Sequence, residues 1–189
     1  RLKSMIETRP DWCVSRQRVW GVPLPIFVHK KTKEILVDDK VIDNIATIYE
    51  KEGSDCWFSD DPQRFLGKEY KAEEYDKVSD IVEVWFDSGS THSFVLEKRK
   101  DLKWPASMYL EGSDQHRGWF HSSLLESCGT RGRAPYESIL SHGFVVDGKG
   151  LKMSKSLGNV ISPEDILKKY GADILRIWVA SSNYEEDLR

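Results

Sequence analysis

The stretch Met108-Tyr-Leu-Glu-Gly-Ser-Asp114 carries a short apolar run into a polar turn, which is typical of a β-strand that leads into a helix. Apolar residues then recur at helical spacing over residues 114–128. A second strand signal follows in Ile139-Leu140 and Phe144-Val-Val146. Residues 107–146 therefore predict strand, helix and strand, the pattern of a right-handed parallel crossover.

The helix of this crossover has a predicted start and a predicted end. Asp114 can cap its first turn, because a short carboxylate accepts hydrogen bonds from the free backbone N–H groups there. Gly129 is placed to end it. In open α/β sheets, ligands bind beyond the carboxyl ends of the strands. We therefore expect residues 111–114, His142-Gly143 and the lysine-containing loop that follows to lie at one edge of the sheet.

That loop is Asp147-Gly-Lys-Gly-Leu-Lys-Met-Ser-Lys-Ser-Leu-Gly-Asn159. Lysine supplies a compact charge that can follow phosphate oxygens, and glycine lets the backbone approach and adjust. By composition alone, a solvated surface turn is the commoner structure for such a segment. The alternative is a loop that binds a polyphosphate through Lys152 and Lys155.

Two helices are predicted after the loop. Ser162-Pro-Glu-Asp165 combines a capping hydroxyl, proline at the first helical position and acids in the first turn, and Gly171 ends that helix. Apolar residues over 174–179 predict the second helix.

Before residue 79 the sequence predicts a different set of elements. Ile26-Phe-Val-His29 and Glu34-Ile-Leu-Val37 predict a β-hairpin. Residues 41–49 have the spacing of an amphipathic helix that Gly53 ends, and residues 63–66 predict a short helix. We interpret residues 26–78 as a small appendage packed beside the core, and not as a second independent domain.

A further strand is predicted at Val82-Glu-Val-Trp-Phe86, with a turn at Asp87-Ser-Gly-Ser90. The predicted fold class is α/β, the second half of a Rossmann-like parallel-sheet domain. It carries a small α+β insertion and a helical segment after the lysine loop.

Composition excludes several classes of protein. The chain has 189 residues, of which 39% are hydrophobic and 31% charged, and no apolar run approaches the length of about 20 residues that spans a bilayer. Residues 1–10 do not resemble a secretory signal, so we expect a cytoplasmic protein. A net charge of −3 predicts that any RNA contact is local. The three cysteines and the histidines lack the spacing of a metal site, so we expect no zinc and no other protein-bound transition metal.

Lys152-Met-Ser-Lys-Ser156 resembles the signature of the class I aminoacyl-tRNA synthetases. Four further strings match the same family: Asp11-Trp-Cys-Val-Ser-Arg-Gln-Arg-Val-Trp-Gly21, Glu83-Val-Trp-Phe-Asp-Ser-Gly-Ser90, Glu111-Gly-Ser-Asp-Gln-His-Arg-Gly-Trp-Phe120 and Gly171-Ala-Asp-Ile-Leu-Arg176. Together they resemble the isoleucyl-tRNA synthetases of bacterial type, almost from end to end.

The resemblance implies roles for individual residues. Lys152 and Lys155 would neutralise charge on the phosphates during catalysis, and the other implied residues fall into three groups. The ATP-binding group is Lys152, Met153, Ser154, Lys155, Ser156, His142 and Gly143. The group that binds the aminoacyl-adenylate is Glu111, Gly112, Asp114 and Gln115. The walls of the amino-acid side-chain pocket are Trp85 and Trp119.

Some of these residues have simpler explanations. Without the resemblance, Trp85 and Trp119 would be read as core residues, and His142 as a hydrogen-bonded structural group at a strand end. A Gly-Ser-Asp helix cap explains Asp114 but leaves Glu111 unexplained.

The resemblance also implies the reaction: L-isoleucine attacks the α-phosphate of ATP, which arrives with Mg²⁺, and the adenylate passes its acyl group to the acceptor end of tRNA(Ile). The family's His-Ile-Gly-His signature and its editing domain have no counterpart in this sequence. We therefore expect the carboxyl-side half of a catalytic domain whose partner is the rest of the synthetase chain. Two alternatives are another class I enzyme, such as a valine-type synthetase or a related nucleotidyl transferase, and a non-catalytic module that binds RNA or protein.

The resemblance also suggests domain boundaries. These are 1–25 for a segment re-entering the catalytic core, 26–78 for the inserted hairpin and helix region, 79–160 for the Rossmann-like half with the lysine loop, and 161–189 for a helical stem.

Overall fold

The computed structural model describes residues 2–189, with Leu2 described by its backbone alone. The chain divides into two compact units, the first ending at Ser88 and the second beginning at Gly89. Each unit has its own secondary structure. No helix within the described residues is long and apolar enough to cross a membrane.

The first unit consists of short helices and strands. In chain order they are α1 (Leu2–Glu7), β1 (Ser15–Arg16), β2 (Phe27–His29), α2 (Asp39–Glu52), α3 (Cys56–Ser59), α4 (Pro62–Leu66), a 3-10 turn (Ala72–Glu74), β3 (Tyr75–Lys77), β4 (Ile81–Val82) and α5 (Val84–Gly89), which reaches the first residue of the second unit. Strands β1 and β4 pair antiparallel, as do β2 and β3.

A hydrophobic core lies inside the segment that the sequence analysis interprets as an appendage. The predicted helix is present as α2, where the Asp38 carboxylate accepts a hydrogen bond from the Lys40 N–H and Gly53 ends the helix. Its buried face packs with α3 and α4 around the fully buried Trp57. The core residues are Phe27, Val41, Ile45, Ile48, Trp57, Phe65 and Leu66.

The predicted hairpin is only partly present. Strand β2 takes β3 as its regular partner, and residues 34–37 meet it through a single antiparallel bridge between Val28 and Ile35. Lys33 has a φ of 62°, so the backbone leaves the extended conformation just before this run. Two backbone hydrogen bonds flank the bridge, from the His29 N–H to the Glu34 carbonyl and from the Leu36 N–H to the Phe27 carbonyl, so residues 34–36 pair with β2 only over this short stretch.

The predicted strand over residues 82–86 is wrong beyond Val82, because the chain turns into α5 at Val84. The Glu83 carboxylate accepts a hydrogen bond from the Trp85 backbone N–H at 2.8 Å, and the Glu83 carbonyl accepts one from Phe86. This local capping outweighs the β-propensity of valine, tryptophan and phenylalanine, which depends on packing more than on the backbone.

The second unit contains the predicted crossover. Its elements are a π-helix (His92–Leu96), β5 (Tyr109–Gly112), a 3-10 turn (Ser113–His116), α6 (Trp119–Arg131), β6 (Ile139–His142), α7 (Pro163–Tyr170) and α8 (Ala172–Ser181). Strands β5 and β6 are parallel, which confirms the predicted strand, helix and strand.

The boundaries of α6 differ from the prediction. Asp114 does not cap it, because a 3-10 turn intervenes and Gly118 is the residue before the first helical turn. Gly129 lies within the helix, which ends at Gly132 with a left-handed φ of 72°. The predicted strand at residues 144–146 is reduced to isolated bridges from Val145 to Leu188 and from Val146 to Lys152.

Helices α7 and α8 form as predicted. The Ser162 hydroxyl accepts a hydrogen bond from the Glu164 N–H at 3.2 Å, and Gly171 separates the two helices with a φ of 80°. The chain then returns to β6, where the Tyr184 carbonyl accepts a hydrogen bond from the Gly143 N–H.

Candidate functional site

The carboxyl ends of β5 and β6 bring two of the predicted site segments together. Their parallel register pairs Glu111 with Ser141 and Gly112 with His142. The acidic and glycine-containing end of one strand therefore lies beside the His142-Gly143 end of the other. Parallel strands produce this arrangement because both chains leave the sheet at the same edge.

Glu111 is connected to Trp119 across the crossover. The indole N–H of Trp119, the first residue of α6, donates to the Glu111 carboxylate at 3.4 Å. Tyr109 packs beneath Trp119 with a ring separation of 4.8 Å, and its hydroxyl lies 3.0 Å from Ser123 Oγ. Tyr109 is buried, and this burial raises the pKa of its hydroxyl.

Gly112 allows Asp114 to approach the end of β5. A Cβ atom at Gly112 would lie 2.8 Å from Asp114 Oδ1 and 3.1 Å from the ring of Phe144, which is too close. The other oxygen of Asp114 accepts a hydrogen bond from the Gln115 side-chain amide at 3.2 Å. Three of the residues predicted to bind an adenylate thus form one connected group.

A second link between the strand ends is formed by His116 and Ser141, which were not predicted as site residues. His116 Nε2 lies 2.8 Å from Ser141 Oγ, so the 3-10 turn after β5 is tied to β6. The change from apolar Ile139-Leu140 to polar Ser141-His142 could have suggested Ser141, but its partner 25 positions earlier follows only from the fold.

His142 has a structural contact of its own. Its Nδ1 atom lies 2.7 Å from the Gly143 carbonyl oxygen, which can only accept, so Nδ1 carries the proton. This contact agrees with a structural role for His142 as a hydrogen-bonded group at a strand end. Contact between His142 and a nucleotide remains a prediction.

Gly143 leaves room for the backbone of residues 184–188, which packs against it. A Cβ atom there would lie 2.3 Å from the Glu186 backbone oxygen. Around it, Phe144 N–H donates to the Asp187 carboxylate at 2.7 Å, and Val146 N–H donates to the Leu188 carbonyl at 2.7 Å. Residues 184–188 therefore lie directly against residues 143–146, the segment that leads from β6 to the lysine loop.

Replacing Gly143 with alanine is expected to detach residues 184–188, at a cost of about 1–3 kcal/mol from forced overpacking against backbone. Amide hydrogen exchange should show lost protection at Val146 and Leu188. Gly148→Ala is the matched control, because nothing lies within 4 Å of a Cβ there. Equal protection in both variants would contradict this reading of Gly143.

In the lysine loop the two lysine side chains are exposed, whereas the serine side chains form hydrogen bonds within the loop. Lys152 and Lys155 are exposed, and neither forms an ion pair within residues 2–189. Ser154 is half-buried, and its hydroxyl accepts a hydrogen bond from the Leu157 N–H at 3.2 Å and lies 3.1 Å from Ser156 Oγ. The ammonium groups remain available to an anion, while the serines are engaged inside the loop.

Met153 is also part of the loop's internal structure. Its side chain is half-buried, and the sulfur accepts a hydrogen bond from the Ile161 N–H at 3.5 Å. Of the signature residues, the two lysines are thus the ones with uncommitted polar groups.

Trp85 belongs to the first unit. It lies on α5, its side chain is 45% exposed, and its backbone N–H is held by Glu83. Among the described residues, Trp85 is therefore not part of a hydrophobic core. Nearby, burial and the charge of Glu83 raise the pKa of Asp87.

Metal ligands are not grouped in this part of the chain. Among residues 2–189, no cluster of three or more histidine, cysteine, aspartate or glutamate side chains could hold a metal ion. The cysteines are free thiols, with Cys13 and Cys128 exposed.

A family model described as "tRNA synthetases class I (I, L, M and V)" matches residues 1–189. The chain therefore belongs to this family of class I tRNA synthetases. It is 89% identical over 189 residues to an isoleucine–tRNA ligase of Pelagibacter ubique, covering 100% of the chain and 21% of that relative. It is 62% identical over 190 residues to the isoleucine–tRNA ligase of Brucella abortus, covering 100% of the chain and 19% of the relative. The chain thus spans about a fifth of the length of the curated relatives it matches.

The fold has a solved counterpart. A crystal structure of an Agrobacterium radiobacter K84 LeuRS, in a ternary complex with tRNA and LeuAMS, superposes with a TM-score of 0.66 at 21% sequence identity. The match covers 100% of this chain and 27% of the other. This similarity confirms the predicted α/β fold class with parallel strands.

Proposed function

We propose that this chain is part of an isoleucine–tRNA ligase, which activates L-isoleucine with ATP and transfers it to tRNA(Ile). The observation that carries the proposal is the 89% identity, over the whole chain, with a protein of that name. Identity at this level, over every residue of the chain, supports the same reaction, and the amino-acid preference is the property that the experiment below measures.

The segment is proposed to be the carboxyl-side half of the catalytic domain, including the lysine loop. The parallel crossover followed by α7 and α8 supports this placement. The rest of the synthetase chain would then supply the other half of the nucleotide site, and the expected location is the cytoplasm.

The end of β5 is proposed to bind the aminoacyl-adenylate. Glu111, Asp114 and Gln115 offer carboxylate and amide groups at this strand end, and Gly112 leaves room for Asp114 to take its place there. The Trp119 N–H bond would hold Glu111 in place. A carboxylate there can accept hydrogen bonds from an ammonium group or from ribose hydroxyls.

The lysine loop is proposed to bind the ATP phosphates through Lys152 and Lys155, with Mg²⁺ arriving as part of the ATP complex. The exposed, unpaired ammonium groups support this role, since preorganised positive charge stabilises phosphates as their charge redistributes. Met153, Ser154 and Ser156 would shape the loop, and His142 and Gly143 would border the nucleotide.

Trp85 and Trp119 are proposed to contact the isoleucine side chain. Rigid aromatic walls suit a branched aliphatic ligand, because they bury its surface without losing much conformational freedom. The partial exposure of Trp85 supports a surface-facing role in place of a core role.

The test is ATP–pyrophosphate exchange by the full-length synthetase that contains this chain, with isoleucine, valine, leucine and methionine compared. We expect exchange to be greatest with isoleucine, and about 10- to 200-fold less efficient with valine, because one missing methylene is worth only about 1–3 kcal/mol, a value for which this enzyme class is itself the standard example. A preference for valine, leucine or methionine would overturn the proposal. The isolated 189-residue chain is the control, and we expect it to be inactive.

A further inference from the structure

The side chain of Asn159 connects both ends of the lysine loop. Its Oδ1 atom accepts a hydrogen bond from the Ser154 N–H at 2.9 Å. Its amide nitrogen donates to Asp147 Oδ2 at 2.9 Å and to the Lys152 carbonyl at 3.3 Å. A single side chain therefore contacts the residue that opens the loop, the first lysine and the turn between the lysines.

Asp147 completes the connection from the other side. Its Oδ1 atom accepts hydrogen bonds from the Lys149 and Leu151 backbone N–H groups, both at 2.9 Å. Its backbone N–H donates to the Leu151 carbonyl at 2.9 Å. Both carboxylate oxygens are thus in use, and these bonds, led by the one from Asn159, lower the pKa of Asp147. We call this pair the Asp147–Asn159 bracket.

The bracket restrains the backbone that carries the lysines and leaves their ammonium groups free. It contacts the carbonyl of Lys152 and the N–H of Ser154, directly before Lys155. Lys152 and Lys155 themselves are exposed. Flexible lysine side chains find a phosphate more readily when the backbone beneath them is already placed, because less conformational entropy is lost on binding.

The residue types suit this arrangement. An asparagine side chain offers one acceptor and two donors, and the bracket uses both kinds of group. An aspartate at 159 would lose the donors and place two carboxylates together, which repel. The Asp147-Gly148 and Gly158-Asn159 pairs indicate turns in the sequence, but not that the two side chains meet 12 positions apart.

We propose that Asp147 and Asn159 are positioning residues for the phosphate-binding step, acting through Lys152 and Lys155 without touching the substrate. This inference rests on the proposed function. The bracket should therefore matter while pyrophosphate is being released, and not when an already formed adenylate is transferred to tRNA.

The experiment uses the full-length synthetase and four variants: Asn159→Ala, Asn159→Asp, Asp147→Asn and the swap Asp147→Asn/Asn159→Asp. Asn183→Ala is the matched control, because Asn183 makes its hydrogen bond in the chain after α8. Isoleucine-dependent pyrophosphate exchange reports activation, and single-turnover transfer from preformed isoleucyl-adenylate reports the later step.

We expect the single variants to lower the kcat of activation by about 10- to 100-fold, since small misplacements cost this much in positioned reactions. Transfer should stay at the wild-type rate. The swap should recover activation relative to Asn159→Asp, because it restores an amide opposite a carboxylate. Asn183→Ala should resemble wild type.

Three results would overturn the inference: wild-type activation in the single variants, an equal loss of activation and transfer, or a swap that recovers nothing or fails to fold. The last two would show a purely structural role. Failure of the proposed function looks different, because the wild-type synthetase itself would then show no preference for isoleucine.

Discussion

Replacing Lys155 with alanine in the full-length synthetase is expected to slow isoleucine activation by about 100- to 1,000-fold, which is the cost of removing one preorganised group that stabilises developing charge. The physical reason is that Lys155 carries an exposed ammonium without an ion-pair partner among the described residues, on a loop whose backbone is internally hydrogen-bonded. The dissociation constant for isoleucine should stay nearly unchanged, because the amino acid carries no phosphate.

The measurement combines pyrophosphate exchange at saturating ATP with equilibrium binding of isoleucine. Lys149→Ala serves as the matched control, since this lysine is also exposed but lies three residues before the signature, and its backbone N–H, not its side chain, contacts Asp147. Activation by Lys155→Ala at the wild-type rate would remove Lys155 from the proposed mechanism. A comparable loss in Lys149→Ala would indicate a general effect of positive charge.

Replacing Trp57 with alanine is expected to destabilise the first unit by about 3–5 kcal/mol, the usual cost of truncating a buried large aromatic side chain. Trp57 is 0% exposed and lies at the centre of its core, with ring separations of 5.1 Å to Phe27 and 4.9 Å to Phe65. Its indole N–H also donates to the Val78 carbonyl at 2.7 Å. The variant would lose the packing and leave that carbonyl without its partner.

Urea titration followed by amide hydrogen exchange in α2 would measure this effect, because α2 supplies three of the core residues. Trp57→Phe should cost less, about 1–3 kcal/mol, since it keeps an aromatic ring but loses the donor. Phe58→Ala is the adjacent control. Its side chain is 49% exposed, so its effect should be within about 0.5 kcal/mol. Similar losses at Trp57 and Phe58 would contradict the assignment of the core.

Only part of the core around Trp57 can be predicted from local sequence patterns. The spacing of Val41, Ile45 and Ile48 predicts one buried helical face, and α2 has that face. Trp57, by contrast, lies on a four-residue helix, which is too short for periodicity to reveal. The aromatic centre of this core therefore comes from a residue without a local pattern. For this reason the sequence predicts the buried face of α2 but not the core as a whole.

The candidate site divides in a similar way. Strand, helix and parallel strand follow from local apolar runs and turn residues, and the register then places Glu111 beside Ser141. The helix cap at Asp114 and the strand through Phe86 are wrong, because Gly118 and Glu83 control the local backbone. Both errors concern the boundaries of elements: the Glu83 carboxylate caps α5, whereas α6 begins after Gly118 without a side-chain cap.

By itself, the sequence determined the α/β class, the parallel crossover, the two helices after the lysine loop and the resemblance to a synthetase family. These depend on short-range periodicity and on contiguous motifs, which a linear sequence displays directly. Only the tertiary structure decided that Gly143 is required by the backbone of Glu186, and that Asn159 connects Asp147 with Ser154. Gly143 and Glu186 are 43 positions apart and Asp147 and Asn159 are 12 apart, so these partners are defined by how the folded backbone returns and not by a local sequence pattern.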